Sequence, residues 1–184
     1  MIFKRLSIND VIEITPSIYD DHRGSFMETY RKDLLDKFIG YKINFCQENQ
    51  SVSKNNVFRG LHYQLPPYDQ TKLVKVIDGK IIDVIIDLRK KSKFFLKSIE
   101  IEISEENKKQ ILIPKGFAHG FLVISEKATI VYKVDSFYKK SYERILNPLD
   151  PSLNLKMDLT NKILSEKDKT SPYLKNIDFF EFQK

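Results

Sequence analysis

Residues 72–88 constrain this chain more than any other segment. Leu73-Val-Lys-Val-Ile77 and Lys80-Ile-Ile-Asp-Val-Ile-Ile-Asp-Leu88 are β-branched runs on either side of Asp78-Gly79. Two such runs joined by an Asp-Gly pair predict a tight hairpin with a type I′ turn, because both turn positions need positive φ. Residues 94–103 predict another strand, with Ile99, Ile101 and Ile103 on one side and Glu100 and Glu102 on the other. Short strands follow over 110–113 and 120–124, and a longer one over 128–134. No helix of crossover length separates them, so antiparallel pairing in a sandwich or jelly roll is expected.

The flanks are less regular. Residues 2–14 alternate loosely and read as edge strands, and residues 25–30 have strand propensity. Residues 31–38 are a helical candidate in which Leu34, Leu35 and Phe38 share a face, with Gly40 as its stop. Residues 42–53 read as strand around Gln47-Glu-Asn49, and Gln47, Asn49 and Ser51 would point the same way in an extended chain. After Asn147 the chain turns at Pro148 and Pro151. A helix is expected near 159–164, and Ser165 is placed to cap a turn running through Asp168.

The 184 residues, 41% of them hydrophobic, predict one domain spanning 1–184 with a substantial core. The formal charge of +6 comes from lysines interleaved with Asp and Glu, without finger spacing or a concentrated basic arm. That pattern excludes the common nucleic-acid modules and leaves room for a small anionic ligand at a local positive site. Cys46 is the only cysteine, so no intrachain disulfide can form; it reads as a buried strand residue in a protein of a reducing compartment. No signal-peptide core and no apolar run of about 18 residues is apparent, so no membrane association and a cytoplasmic location are expected.

The polar segment between Val57 and Lys72 runs directly into the predicted hairpin and carries Arg59, His62 and Lys72. An imidazole suits a general base at neutral pH, although a lone histidine also serves as a hydrogen-bonded structural residue. Lys72, at a strand start, is either a surface cation or a fixed charge beside a carbonyl. His119 lies between Phe117 and Phe121 with Gly116 and Gly120 around it, which fits either a ligand contact or a buried hydrogen bond. Tyr132 is mid-strand, as a core residue or a proton donor; Tyr138 offers a ring for stacking. His22, His62 and His119 are isolated and form no His-x-His pair, so no metal is expected.

Several motifs then occur in one order. They are Asp21-His-Arg-Gly-Ser-Phe-Met-Glu28, Gln47-Glu-Asn-Gln-Ser51, Phe58-Arg-Gly-Leu-His-Tyr-Gln-Leu-Pro-Pro67, Gln70-Thr-Lys-Leu-Val74, Asp83-Val-Ile-Ile-Asp-Leu-Arg89, Ile113-Pro-Lys-Gly-Phe-Ala-His-Gly-Phe121, Tyr132-Lys133 and Ser165-Glu-Lys-Asp168. Together they resemble the nucleotide-sugar 3,5-epimerases, the family of dTDP-4-dehydrorhamnose 3,5-epimerase, nearly end to end. The resemblance implies an all-β, cupin-type jelly-roll barrel with a few short peripheral helices, a homodimer, no cofactor and a nucleotide diphosphate sugar as ligand. It implies His62 as base, Asp168 as the group orienting it, Tyr132 as acid and Lys72 as the partner of the enolate oxygen. It places Gln47, Asn49, Arg59, His119, Glu143 and Lys167 at ligand contacts, and Tyr138 against the nucleotide base. Arg23, Phe26 and Glu28 match a segment that reaches the site partly from the neighbouring subunit.

Arg59 and His62 have opposite parity in a regular strand, yet the resemblance puts both at the site. An irregularity near Gly60 is therefore expected. The chain departs from the family at Pro148-Leu-Asp-Pro151 and at Met157, where tryptophan-containing stretches are usual. These departures leave open a GDP-linked or longer keto-sugar such as a heptose, and inversion at C3, at C5 or at both, in deoxysugar or heptose biosynthesis for surface polysaccharide. A 3,4-ketoisomerase and a noncatalytic sugar-binding barrel are the alternatives; His62, Lys72, Tyr132 and Asp168 together favour epimerisation over the first, and the second needs no base and acid on opposite ring faces.

Overall fold

The computed structural model describes residues 1–182. Its strands are β1 Ile2–Arg5, β2 Ile12–Thr15, β3 Ile18–Asp21, β4 Gly24–Met27, β5 Gln47–Lys54, β6 Phe58–Gln64 and β7 Lys72–Asp78. They continue with β8 Lys80–Asp87, β9 Ser98–Ser104, β10 Gln110–Ile113, β11 Phe117–Val123, β12 Lys127–Val134 and β13 Glu143–Ile145. The α-helices are α1 Lys32–Ile39 and α2 Glu166–Lys169. Gly40 ends α1 in the left-handed conformation at φ 85°, which costs least without a Cβ. Ser165 caps α2, its hydroxyl accepting from the amide of Asp168.

The all-β class with few short helices holds, but the barrel does not. The strands form a six-stranded sheet in the order β1-β2-β10-β7-β12-β5, a five-stranded sheet in the order β13-β6-β11-β8-β9, and the separate pair β3-β4. Among the described residues none of the three closes on itself. The two large sheets are held together by side-chain packing, not by a continuous hydrogen-bond ladder: Val74, Val76, Ile111, Ile113 and Ile130 of one meet Ile81, Ile85, Ile103, Phe117 and Phe121 of the other. Barrel closure would require backbone bonds across the edges β1, β5, β9 and β13, and each of these has one partner strand only.

The expected hairpin at Asp78-Gly79 is also overturned. β7 lies in the six-stranded sheet and β8 in the five-stranded one, so the turn carries the chain across the sandwich. Gly79 alone has positive φ, 81°, and Asp78 does not, which rules out the type I′ geometry. The amides here find partners outside the pair: Lys80 donates to Ser125 Oγ and Glu105 to the Gly79 carbonyl. A Cβ on Gly79 would fall 2.0 Å from the carbonyl oxygen of Lys127, so the close approach of the 125–128 turn selects glycine.

The five-stranded sheet is covered on both faces. Its outer face (Phe58, Leu61, Tyr63, Val84, Ile86, Leu122) packs against Leu146, Leu153, Leu159, Leu164 and Phe180 of the C-terminal segment. This double burial explains why β8 and β11 read as nearly continuous apolar runs. No helix forms over 159–164. Asn161 is left-handed at φ 58°, and residue 163 instead bridges Val57 in parallel, exchanging bonds with Phe58 and Asn56. Cys46 is exposed and precedes β5, in contrast to the buried strand position expected of it.

Candidate active site

At one end of the sandwich the facing surfaces of the two sheets turn from apolar to polar and enclose a cavity of about 240 Å³. From the six-stranded sheet, Ser51 of β5, Lys72 of β7 and Ile130 and Tyr132 of β12 line it. From the five-stranded sheet come Arg59, His62 and Gln64 of β6, His119 and Phe121 of β11 and Glu143 of β13. Gln70 and Tyr138 contribute from connecting segments.

The irregularity in β6 makes the site possible. His119 pairs with His62 but Phe121 pairs with Arg59, so three steps on β6 match two on β11. This is a bulge. Phe58, Leu61 and Tyr63 consequently pack in the outer cluster while Arg59 and His62 both face the cavity. Gly60 sits at the extra residue with φ 137°, and a Cβ there would lie 2.5 Å from the Cα of Gly120. The Arg59 side chain is steadied by Ser53, its Nε donating to Oγ at 2.8 Å.

His62 Nε2 is 2.7 Å from Asp168 Oδ1. Asp168 is buried, and it comes from the capped α2, 106 residues further along the chain. Burial opposes its charge, but the bonds from His62 and Ser165 outweigh burial and hold its pKa below the ordinary carboxylate value. With the Nε2 proton donated to Asp168, the lone pair of the His62 ring is on Nδ1.

His119 stands opposite His62 on the paired strand and makes the same kind of bond, Nε2 to Asp83 Oδ1 at 2.7 Å. Burial lowers the pKa of its imidazole more than neighbouring Asp83 raises it, so the ring is neutral at pH 7. Lys72 is buried beside the same carboxylate. Desolvation brings its pKa down to about 8, against the opposing pull of Asp83 and Glu143. Its Nζ donates to the His62 carbonyl at 3.3 Å.

Tyr132 faces the cavity from the opposite sheet to His62. Burial raises its pKa, so at neutral pH it is a phenol with a proton to give. At the mouth, Glu143 accepts from Tyr138 Oη and from Lys167 Nζ. Burial disfavours the Glu143 charge, yet these two bonds leave its pKa below the usual range. Gln47 accepts from the Tyr138 amide and donates to Asn49, so both border the cavity mouth without lining it.

Arg23, Phe26 and Glu28 do not join this cavity. Arg23 and Phe26 lie on the exposed β3-β4 hairpin, where Arg23 pairs with Asp21, and Glu28 follows it as a partner of Arg31. Two useful residues escaped the sequence reading. Asp83 is a carboxylate in the middle of an apolar strand, which was the available signal; Gln64 carried none. Pro148, Leu149, Pro151 and Met157 line a separate groove and do not touch the cavity. Met157 packs against the outer core, so the departures from the family lie outside the cavity.

The model of the dTDP-4-dehydrorhamnose 3,5-epimerase family matches residues 5–176. The chain is 42% identical over 176 residues to the dTDP-4-dehydrorhamnose 3,5-epimerase of Shigella flexneri, covering 96% of this chain and 97% of that one. It superposes on the crystal structure of the Elizabethkingia anophelis enzyme of that name with a TM-score of 0.91 at 40% identity, over 95% and 97% of the two chains. A dTDP-6-deoxy-D-glucose-3,5-epimerase from Legionella pneumophila, solved in complex with dTDP-4-keto-L-rhamnose, matches with a TM-score of 0.93 at 37% identity, over 99% and 98%. With a family match over nearly its whole length, the chain belongs to the dTDP-4-dehydrorhamnose 3,5-epimerase family.

Proposed function

We propose that this protein epimerises a dTDP-linked 4-keto-6-deoxy sugar at C3 and C5 through an enolate. The observation that carries the proposal is that His62 and Tyr132 project from opposite sheets into one cavity, so a sugar ring between them meets a base on one face and an acid on the other. The C4 ketone acidifies the neighbouring C–H bonds. His62 Nδ1 takes a proton, the electron pair moves into the C–C–O system, and negative charge grows on O4. Lys72, an ammonium below about pH 8, stabilises that charge as it develops. Tyr132 then returns a proton to the opposite face, inverting the centre; the imidazolium releases its proton to solvent and the phenolate takes one up, which resets both groups. Asp168 holds the His62 tautomer and stabilises the imidazolium.

Arg59 is read as the diphosphate contact, because a guanidinium can pair with two phosphate oxygens. Tyr138 is read as the stacking ring for the base. Support for dTDP comes from the relatives named above, one of which holds dTDP-4-keto-L-rhamnose. The working unit is proposed to be a cytoplasmic homodimer of one-domain chains. Tyr19 and Phe26, paired across the β3-β4 hairpin, expose their rings to solvent, and a second copy would cover them while bringing Arg23, Phe26 and Glu28 to its cavity.

The test is incubation in deuterated water with dTDP- and GDP-linked 4-keto sugars, with NMR of the recovered sugar. Deuterium at C3 and C5 of the dTDP substrate is the expected result. Uptake at one centre restricts the activity, and no uptake with either nucleotide rejects it.

A further inference from the structure

Among the described residues, two buried side-chain polar atoms lack a hydrogen-bond partner: Ser51 Oγ and Asp83 Oδ2. Both belong to the site. Such groups cost stability, and each calls for an explanation. For Asp83 the explanation is the neighbouring Lys72 charge. Ser51 lines the cavity, where a ligand would meet its hydroxyl.

The other inward residues of β5 are engaged. Gln47 bonds to Tyr138 and Asn49, and Ser53 holds Arg59. Asn49 is the strand partner of Tyr132, and Ser51 that of Ile130. Ser51 therefore sits on the strand between the residue opposite the acid and the residue that anchors the diphosphate contact. A sugar reaching from Arg59 to Tyr132 passes this hydroxyl. An unbranched side chain reorients by one χ1 rotation, and its hydroxyl both donates and accepts.

We propose that Ser51 is a substrate-binding residue that reads a hydroxyl on the sugar ring, and so selects a sugar hydroxylated at that ring position over one deoxygenated there. This rests on the nucleotide-sugar reading of the cavity. A site with a buried group awaiting a hydroxyl discriminates against ligands that lack one, because the group is then left unpaired.

The experiment compares wild type with Ser51→Ala by titration calorimetry against dTDP and against dTDP-glucose, an unreactive sugar nucleotide, together with melting temperature. Binding of dTDP should be unchanged, and dTDP-glucose should bind about three- to tenfold more weakly to the variant, the range of one neutral hydrogen bond. The melting temperature should not fall, since the substitution removes an unpaired buried hydroxyl. With substrate, KM should rise and kcat should hold. Equal weakening of dTDP and dTDP-glucose would move the contact to the nucleotide and overturn the proposal. So would unchanged dTDP-glucose binding, or a lowered melting temperature with unchanged binding. If wild type binds neither ligand, the parent reading of the cavity fails, and the role of Ser51 falls with it.

Discussion

His62 and His119 face each other as strand partners on β6 and β11, each with Nε2 2.7 Å from a carboxylate. The two pairs differ in surroundings. His119 and Asp83 are both buried, whereas the His62 side chain is 36% exposed and meets the cavity. The His62 imidazole is thus open to the cavity, whereas burial lowers the pKa of the His119 ring.

Removing the base should stop the reaction. His62→Ala is expected to lower deuterium uptake by at least about 10³-fold, and Asp168→Asn by roughly 10²–10⁴-fold, since an amide no longer selects the tautomer with Nδ1 free. The measurement is the rate of solvent deuterium entry into the dTDP-4-keto sugar. An Asp168→Asn protein with wild-type rates would remove the dyad from the mechanism.

Tyr132→Phe should separate proton removal from inversion. Uptake of deuterium at C3 should continue at a reduced rate while the inverted sugar accumulates at least about 10²-fold more slowly, because only the returning proton is lost. NMR of the recovered sugar reports both quantities. Equal loss of the two would show that the phenol acts before the enolate forms.

The charge on Lys72 sets an alkaline limit. In the proposed mechanism the ammonium is the active form, so the Lys72 contribution to kcat should be lost as pH rises through about 8. Asp83 raises that pKa, so Asp83→Asn should move the falling limb to lower pH. A pH–rate profile of each protein tests this. A limb unmoved in Asp83→Asn would mean that another group titrates there.

Gly60→Ala should damage both stability and activity. The new methyl would meet the backbone of Gly120 at 2.5 Å, in a φ region that side chains rarely occupy. Overpacking and strain of this kind cost roughly 1–3 kcal/mol. Thermal unfolding should show a lower Tm, and realigning Arg59 and His62 should reduce kcat/KM. Wild-type values for both would show that β6 accommodates a regular residue at this point.

If the β3-β4 hairpin serves a neighbour's site, two inactive proteins should complement each other. Mixing Arg23→Ala with His62→Ala under conditions that exchange subunits should restore about one intact site per mixed dimer. Activity after mixing, against each protein alone, is the readout. No recovery between freely exchanging subunits would place Arg23 outside the neighbour's cavity.

What could be read along the chain was local. The alternation of β9, the left-handed stop at Gly40 and the Ser165 cap depend on neighbours a few residues away, so the residue order alone suffices for them. The parity conflict between Arg59 and His62 arose only once the family resemblance placed both at the site, and it announced the bulge at Gly60. Local order could not decide which strands pair. Asp78-Gly79 has the composition of a hairpin turn, but its strands gain more by packing face to face from separate sheets, where Val74 and Val76 meet Ile81 and Ile85. The same long-range packing brings Asp168 to His62 across 106 residues, carries Met157 away from the cavity and leaves Ser51 Oγ unpaired inside the site. Side-chain chemistry is written residue by residue, whereas the partner of each group emerges only when burial has chosen which surfaces meet.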